Sequence, residues 1–344
     1  MPVESQLLVF SKTGIQRQQT GPRNPRALYF DESVVVGYIP GAPVIELAAH
    51  DPQQGVVFYT LDQAADAPVL TRRTTCLTCH VSTSTLEVPG LIDRSNMVGP
   101  DGAVMPQLGS FAVNHRTEHT ERWGGWFVTK NVSTAQYAQL GHLGNVTVSA
   151  DPTSGPKIIS DHVFIEWLNS APETRGYPSP ASDIAALLVF DHQTYAINLI
   201  TRLNWEARVA EASGGPSAQT EVDRLAGDLA DYLLFVGEAP IVVEITPRPG
   251  FAERLEARIP KDKIGRSFGQ LELTTRLLRY PCSYMVYTEA FNALPAAVKA
   301  SVYGRMLAIL SGEHADTRYA HLSADDRTAI LEILRDTKPD FPTR

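Results

Sequence analysis

Five residues constrain this chain more than any others: Cys76-Leu77-Thr78-Cys79-His80. Two thiols three residues apart can each add to one vinyl group of a porphyrin. The imidazole that follows can reach the iron from one face. With three Cys and nine His in 344 residues, chance yields such a string in roughly one shuffled chain in two thousand. The spacing therefore predicts one covalently attached haem c, with Cys76 and Cys79 as thioether residues and His80 as the proximal iron ligand.

Other chemistry at the same string is less well supplied. A structural zinc site wants four ligands, usually from two paired motifs, and Cys282 is the one thiol left over. A thioredoxin-like dithiol wants Cys-x-x-Cys at a helix N-terminus after a strand in a βαβ unit. The preceding run, Pro68 to Thr75, does not clearly provide that. Three cysteines are too few for a disulfide scaffold, and a chain of this length does not need one.

Charge excludes a further class. Lys and Arg number 30 against 38 Asp and Glu, for a formal charge of −8. A general nucleic-acid binder needs the opposite field. No apolar run approaches the ~20 residues that cross a bilayer. The opening MPVESQLLVFSKTG does not join a basic segment to an apolar one, so no signal peptide is read there. Either a leader was removed or replaced, or the chain does not work outside the cytoplasm.

Periodicity divides the chain. In residues 1–150 the apolar and β-branched runs are short and bounded by Gly, Pro, Asp or Asn. Strands are expected at Ala27–Phe30, Ser33–Ile39, Val44–Ala48, Val56–Leu61, Trp126–Lys130 and Val146–Ser149. The motif lies in this half and is followed by a stretch, roughly 81–125, without clear period. Residues 151–344 turn helical. A long helix is expected over 182–212 with Ser182 as N-cap, ended by Ser213-Gly214-Gly215-Pro216. Others are expected over 221–236, over 267–279 before Pro281, over 295–310, and from Ser323 with Asp326 in a capping-box pair. The expected architecture is α+β: a strand- and loop-rich haem-attachment region (1–150) and a mainly helical region (151–344) packing on it, as two subdomains or one integrated domain.

The string CLTCH with the following Ser82 resembles the haem-binding site of c-type cytochromes. The strings Glu121-Arg122-Trp123-Gly124-Gly125-Trp126 and Arg279-Tyr280-Pro281-Cys282-Ser283-Tyr284 are similar to those of large bacterial proteins with a cytochrome c domain. The resemblance covers most of the chain. It implies a c-type haem and export to the periplasm or beyond, and it implies no particular reaction. The chain's size, and the lack of a compact helical unit around the motif, speak against the fold of a small class I cytochrome c.

The opposite face of the iron decides between functions. His192 sits on a helical stripe with Leu188, Tyr195, Leu199 and Leu203, where it could cap the iron or a bound ligand. A core histidine satisfied by a hydrogen bond is the commoner role of such a residue. His115 and His119 flank Arg116 in a polar string, and an Arg beside a distal His suits peroxide cleavage. A surface turn explains the string equally well. His142 lies between glycines, which would admit a flat cofactor. Met97 and Met105 are the sulfur candidates, although Met more often fills a core. Trp123 and Trp126 could pack on the porphyrin edge but are more simply core aromatics.

Three functions follow. One is electron transfer at a single haem, with a redox partner protein or a small-molecule donor or acceptor. A second is a peroxidase-like enzyme in which His192 or His115 moves a proton and Arg116 or Arg122 stabilises the departing charge. The third is a sensor of diatomic gases with an open distal site.

Overall fold

In a computed structural model of the chain, the structure describes residues 2–64, 66–128, 146–149, 157–160, 176–242, 244–313 and 316–342. Eleven strands are assigned among them: β1 (Leu7–Val9), β2 (Arg26–Phe30), β3 (Val34–Tyr38), β4 (Val44–Asp51), β5 (Gly55–Asp62), β6 (Leu70–Arg72), β7 (Arg94–Asn96), β8 (Ser110–Ala112), β9 (Trp126–Phe127), β10 (Val146–Ser149) and β11 (Lys157–Ser160). Seven form one antiparallel sheet in the order β6-β5-β4-β3-β2-β1-β9. The pairs β7–β8 and β10–β11 stand apart from it. The helices are α1 (Leu77–His80), α2 (Ile184–Ser213), α3 (Pro216–Leu233), α4 (Phe251–Arg258), α5 (Glu289–Asn292), α6 (Ala296–Leu310) and α7 (Ala324–Thr337). The architecture is α+β, with the sheet in the N-terminal half and helices in the C-terminal half. It is not the fold of a small class I cytochrome.

Alternation along the strands sends Leu7, Val9, Phe30, Val35, Val56 and Phe58 to one face, and these join the main core with α2. Phe30 meets Phe190 of α2 edge-on at 5.0 Å. That core continues through α3, α6 and α7. The opposite face holds a smaller cluster of Leu8, Phe10, Ala27, Tyr29, Val98, Phe127 and Tyr177.

Helix α2 organises the rest. Its 30 residues reach about 45 Å, and its first half is buried nearly all round. A helix apolar on every side would need no explanation there, but this one carries Asp191, His192, Gln193, Thr194 and Asn198 into the core. Gly214 ends it in the left-handed region at φ 64°, and Pro216 opens α3.

The expected elements meet the structure unevenly. The four hairpin strands β2–β5 and helices α2, α3, α6 and α7 occur where periodicity places them, and Ser323 and Asp326 form the expected capping box. The N-cap of α2 is Asp183, which accepts from Ala185 N, and not Ser182. Ser182 Oγ instead accepts from Leu8 N. No helix spans 267–279. There the Glu272 carboxylate accepts from the backbone of Thr274, Thr275 and Arg276, and Leu273 takes φ 61°. A local side-chain acceptor thus outcompetes the helical ladder. The expected strand end at 129–130 and most of the 150–157 boundary lie outside the described residues.

Candidate functional site

The motif follows the edge strand β6 directly. Thr74–Cys76 forms a 3-10 turn that runs into α1. Cys76, Cys79 and His80 are therefore spaced i, i+3, i+4 and share one side of a single turn. Cys79 is exposed, Cys76 half-buried, and both are free thiols. The chain then reverses. Leu86 and Glu87 adopt left-handed backbone at φ 58° and 62°, and Glu87 N donates to Ser82 O. Non-glycine residues pay for such a conformation in strain. What the reversal achieves is a close return of Gly90 to the motif: Gly90 N donates to His80 O at 3.0 Å, and His80 Nδ1 donates to Gly90 O at 2.9 Å.

That second bond fixes the ring's chemistry. With the proton held on Nδ1, Nε2 carries the lone pair that a metal requires. Burial lowers the His80 pKa, the Gly90 carbonyl opposing it, which favours the neutral ring. The Phe58 ring packs against the imidazole, with centroids 4.4 Å apart. Two residues along β5 from Phe58, Thr60 Oγ1 accepts from Arg73 Nε at 2.8 Å. Opposite Thr60 on β4 stands Glu46, paired with Arg26 at 3.5 Å.

These residues fit a covalently held haem better than the competing chemistries. The Cys76 thiol is raised by burial and by the Glu46 carboxylate, whereas a dithiol oxidoreductase needs a depressed thiol. No three His, Cys, Asp or Glu side chains among the described residues are placed to hold one metal ion, as a zinc site requires. Thioethers bond to carbon, so Cys76 and Cys79 need not converge with His80 on one point. Around the turn, Val69 is 70% exposed, Leu70 56% and Val81 38%. Apolar groups so placed offer a surface for a large flat cofactor to cover.

The other predicted residues lie elsewhere. His192 is wholly buried and both its ring nitrogens are engaged: Nδ1 with His115 Nδ1 at 2.7 Å and Nε2 with Ser283 Oγ at 2.7 Å. In this structure neither nitrogen is free to meet an iron. His115 is stacked on Tyr232 at 4.1 Å. It also stacks on Phe235 at 4.8 Å and lines a small crevice with His119, Arg122, Leu188, Glu238 and Ile241. Arg116 donates to Val236 O and lies over the Tyr232 ring, away from any role at the motif. Met105 is buried in the 97–109 loop, its N bonded to Met97 O. His142 lies outside the described residues.

Sequence reasoning singled out Arg122 and Trp123 but missed the buried carboxylates beside this crevice. Arg122, 1% exposed, pairs with Asp191 at 3.0 Å, and Trp123 Nε1 donates to the same carboxylate. Asp93 lies against Asp191; burial, and then that neighbouring charge, raises its carboxyl well above the usual range. Glu238 is raised by burial to about 7. One signal was present: Asp191-His192-Gln193-Thr194 interrupts an otherwise apolar helix, and polar residues there must find partners.

No protein-family model, no curated protein and no solved structure matches this chain. No helix among the described residues is long and apolar enough to cross a membrane.

Proposed function

We propose that this protein carries one c-type haem, joined by thioethers to Cys76 and Cys79 with His80 as axial ligand, and transfers electrons outside the cytoplasm, where its haem is ligated. The observation that supports the reading is the His80–Gly90 bond: it holds the proton on Nδ1 and leaves the lone pair on Nε2, on the same turn that presents the Cys76 and Cys79 thiols. When bound, the haem supplies a one-electron couple at its iron. The chain's own residues do the holding. Gly90 keeps the proton on Nδ1, Phe58 packs against the ring, and the thiols anchor the group at an open edge of the sheet. An exposed edge suits docking by a redox partner.

Electron transfer is favoured over peroxide chemistry by the placement of His192 and His115. Each has a ring nitrogen committed to the other in the core, so neither stands ready beside the motif as a distal acid or base. Sensing of a diatomic gas is the remaining alternative, and coordination of the iron separates it.

The test is expression of the full chain, with an export leader, in cells that have a haem-ligation system. Wild type is expected to give a pigment that survives acid extraction and is low-spin when reduced. Cys76→Ser and Cys79→Ser should each leave one thioether, and the double variant none, while Cys282→Ser loads normally. High-spin iron that binds CO rapidly would favour the sensor. Equal pigment in the double variant would refute covalent attachment.

A further inference from the structure

Resting on the haem reading, we propose that Asn198 of α2 is a positioning residue for His80, acting through the backbone of Gly90 and Leu91. Asn198 is buried, at 1% exposure. Its Oδ1 accepts from Leu91 N at 2.9 Å, and its Nδ2 donates to Leu91 O at 2.8 Å. One side-chain amide thus makes the two-point bond that a neighbouring strand would make. The residue it clamps is joined directly to Gly90, whose carbonyl accepts from His80 Nδ1.

The contact is close enough to dictate sequence. A Cβ on Gly90 would run into Asn198 Oδ1 and stand 2.9 Å from Thr85 Cβ. The absence of a side chain at 90 is what lets α2 approach. One turn further along α2, Arg202 donates to Leu86 O at 3.1 Å, holding the left-handed reversal. The two bonds divide the work: Arg202 steadies the loop, and Asn198 aims the carbonyl that selects the imidazole tautomer. Through Asn198 the core helix sets which nitrogen of the half-buried His80 keeps its lone pair. The strength of that bond also governs how much electron density the imidazole gives to a metal.

Nitrogen-15 NMR of the unloaded full-length chain at pH 7.5 reads the tautomer of His80 directly. Wild type should show the Nδ1–H form almost alone. Asn198→Ala should give a mixture with the Nε2–H form, and Asn198→Asp, which keeps the acceptor for Leu91 N, a smaller change. Gly90→Ala tests the same clamp from the other side, should Asn198→Ala not fold. Arg202→Ala should lower stability without moving the tautomer. In the loaded protein, Asn198→Ala should raise the reduction potential, because a weaker bond at Nδ1 makes a poorer donor. An unchanged tautomer in Asn198→Ala, or an equal change in Arg202→Ala, would overturn the proposal. The tautomer is read without haem, so a chain that fails to load haem refutes the haem reading and leaves this measurement standing.

Discussion

His115 Nδ1 lies 2.7 Å from His192 Nδ1 in the middle of the core, so one ring donates a proton that the other accepts. Ser283 extends the chain at His192 Nε2, and Tyr232 lies parallel to His192, 5.1 Å away. The contact excludes a proton on both facing nitrogens at once, since that would remove the acceptor, and burial disfavours the charged form of either ring. Burial, with the Arg116 charge, lowers His192 to about 3, and burial lowers His115 well below its usual value.

A pH dependence follows. The unfolded His192 takes up a proton below 6.5, whereas the folded one stays neutral to about 3. Stability from this residue is therefore whole above 6.5 and lost as pH falls between those values. His192→Gln, which keeps groups able to bond His115 and Ser283, removes that proton uptake. Its unfolding free energy in urea should fall less steeply from pH 6.5 to 5, by up to about 1.4 kcal/mol per pH unit. Parallel slopes for the two proteins would count against a buried neutral pair.

Glu238 works in the opposite sense. Its folded pKa, about 7, lies above the unfolded 4.5, so its favourable contribution is present below 4.5 and is lost as pH rises through 7. Glu238→Gln retains an acceptor for Leu277 N and cannot ionise. Compared with wild type, the variant should gain about 2–3 kcal/mol in relative stability between pH 4 and pH 8. Chemical denaturation at the two pH values measures it, and a constant difference would show that Glu238 ionises in the fold as easily as in the unfolded chain.

The three thiols should separate by rate in the unloaded chain. Cys79 is exposed and Cys282 buried, with burial pushing the Cys282 thiol up. Cys76 is half-buried and raised by burial and Glu46. Alkylation followed by peptide mass mapping should modify Cys79 first, Cys76 more slowly, and Cys282 only after unfolding. Early modification of Cys282 would mean that the 281–287 segment opens readily.

Much of this was legible in the sequence, for reasons that differ by residue. Short apolar runs bounded by turn residues exposed β2–β5, and Phe30, Val35, Val56 and Phe58 of β2, β3 and β5 join the core with α2. The 182–212 period exposed α2, and Ser213-Gly214-Gly215-Pro216 its end, because helix termination is a local matter. The cysteine string displayed its own spacing. The supports of His80 could not be read in this way: Gly90 is ten residues away and Asn198 more than a hundred, joined only by the tertiary fold. The stripe around His192 correctly marked a buried face, but periodicity says nothing about which partner a buried histidine meets. The helix expected over 267–279 failed because Glu272 captures three backbone amides, an event no hydrophobic period records.

The central claim is settled most directly by the intact mass of the purified full-length protein after maturation in cells that ligate haem. The account predicts the polypeptide mass plus one haem, retained under denaturing acid and lost only when Cys76 and Cys79 are both replaced. The mass of the bare polypeptide, from cells shown to load another c-type cytochrome in parallel, would contradict it.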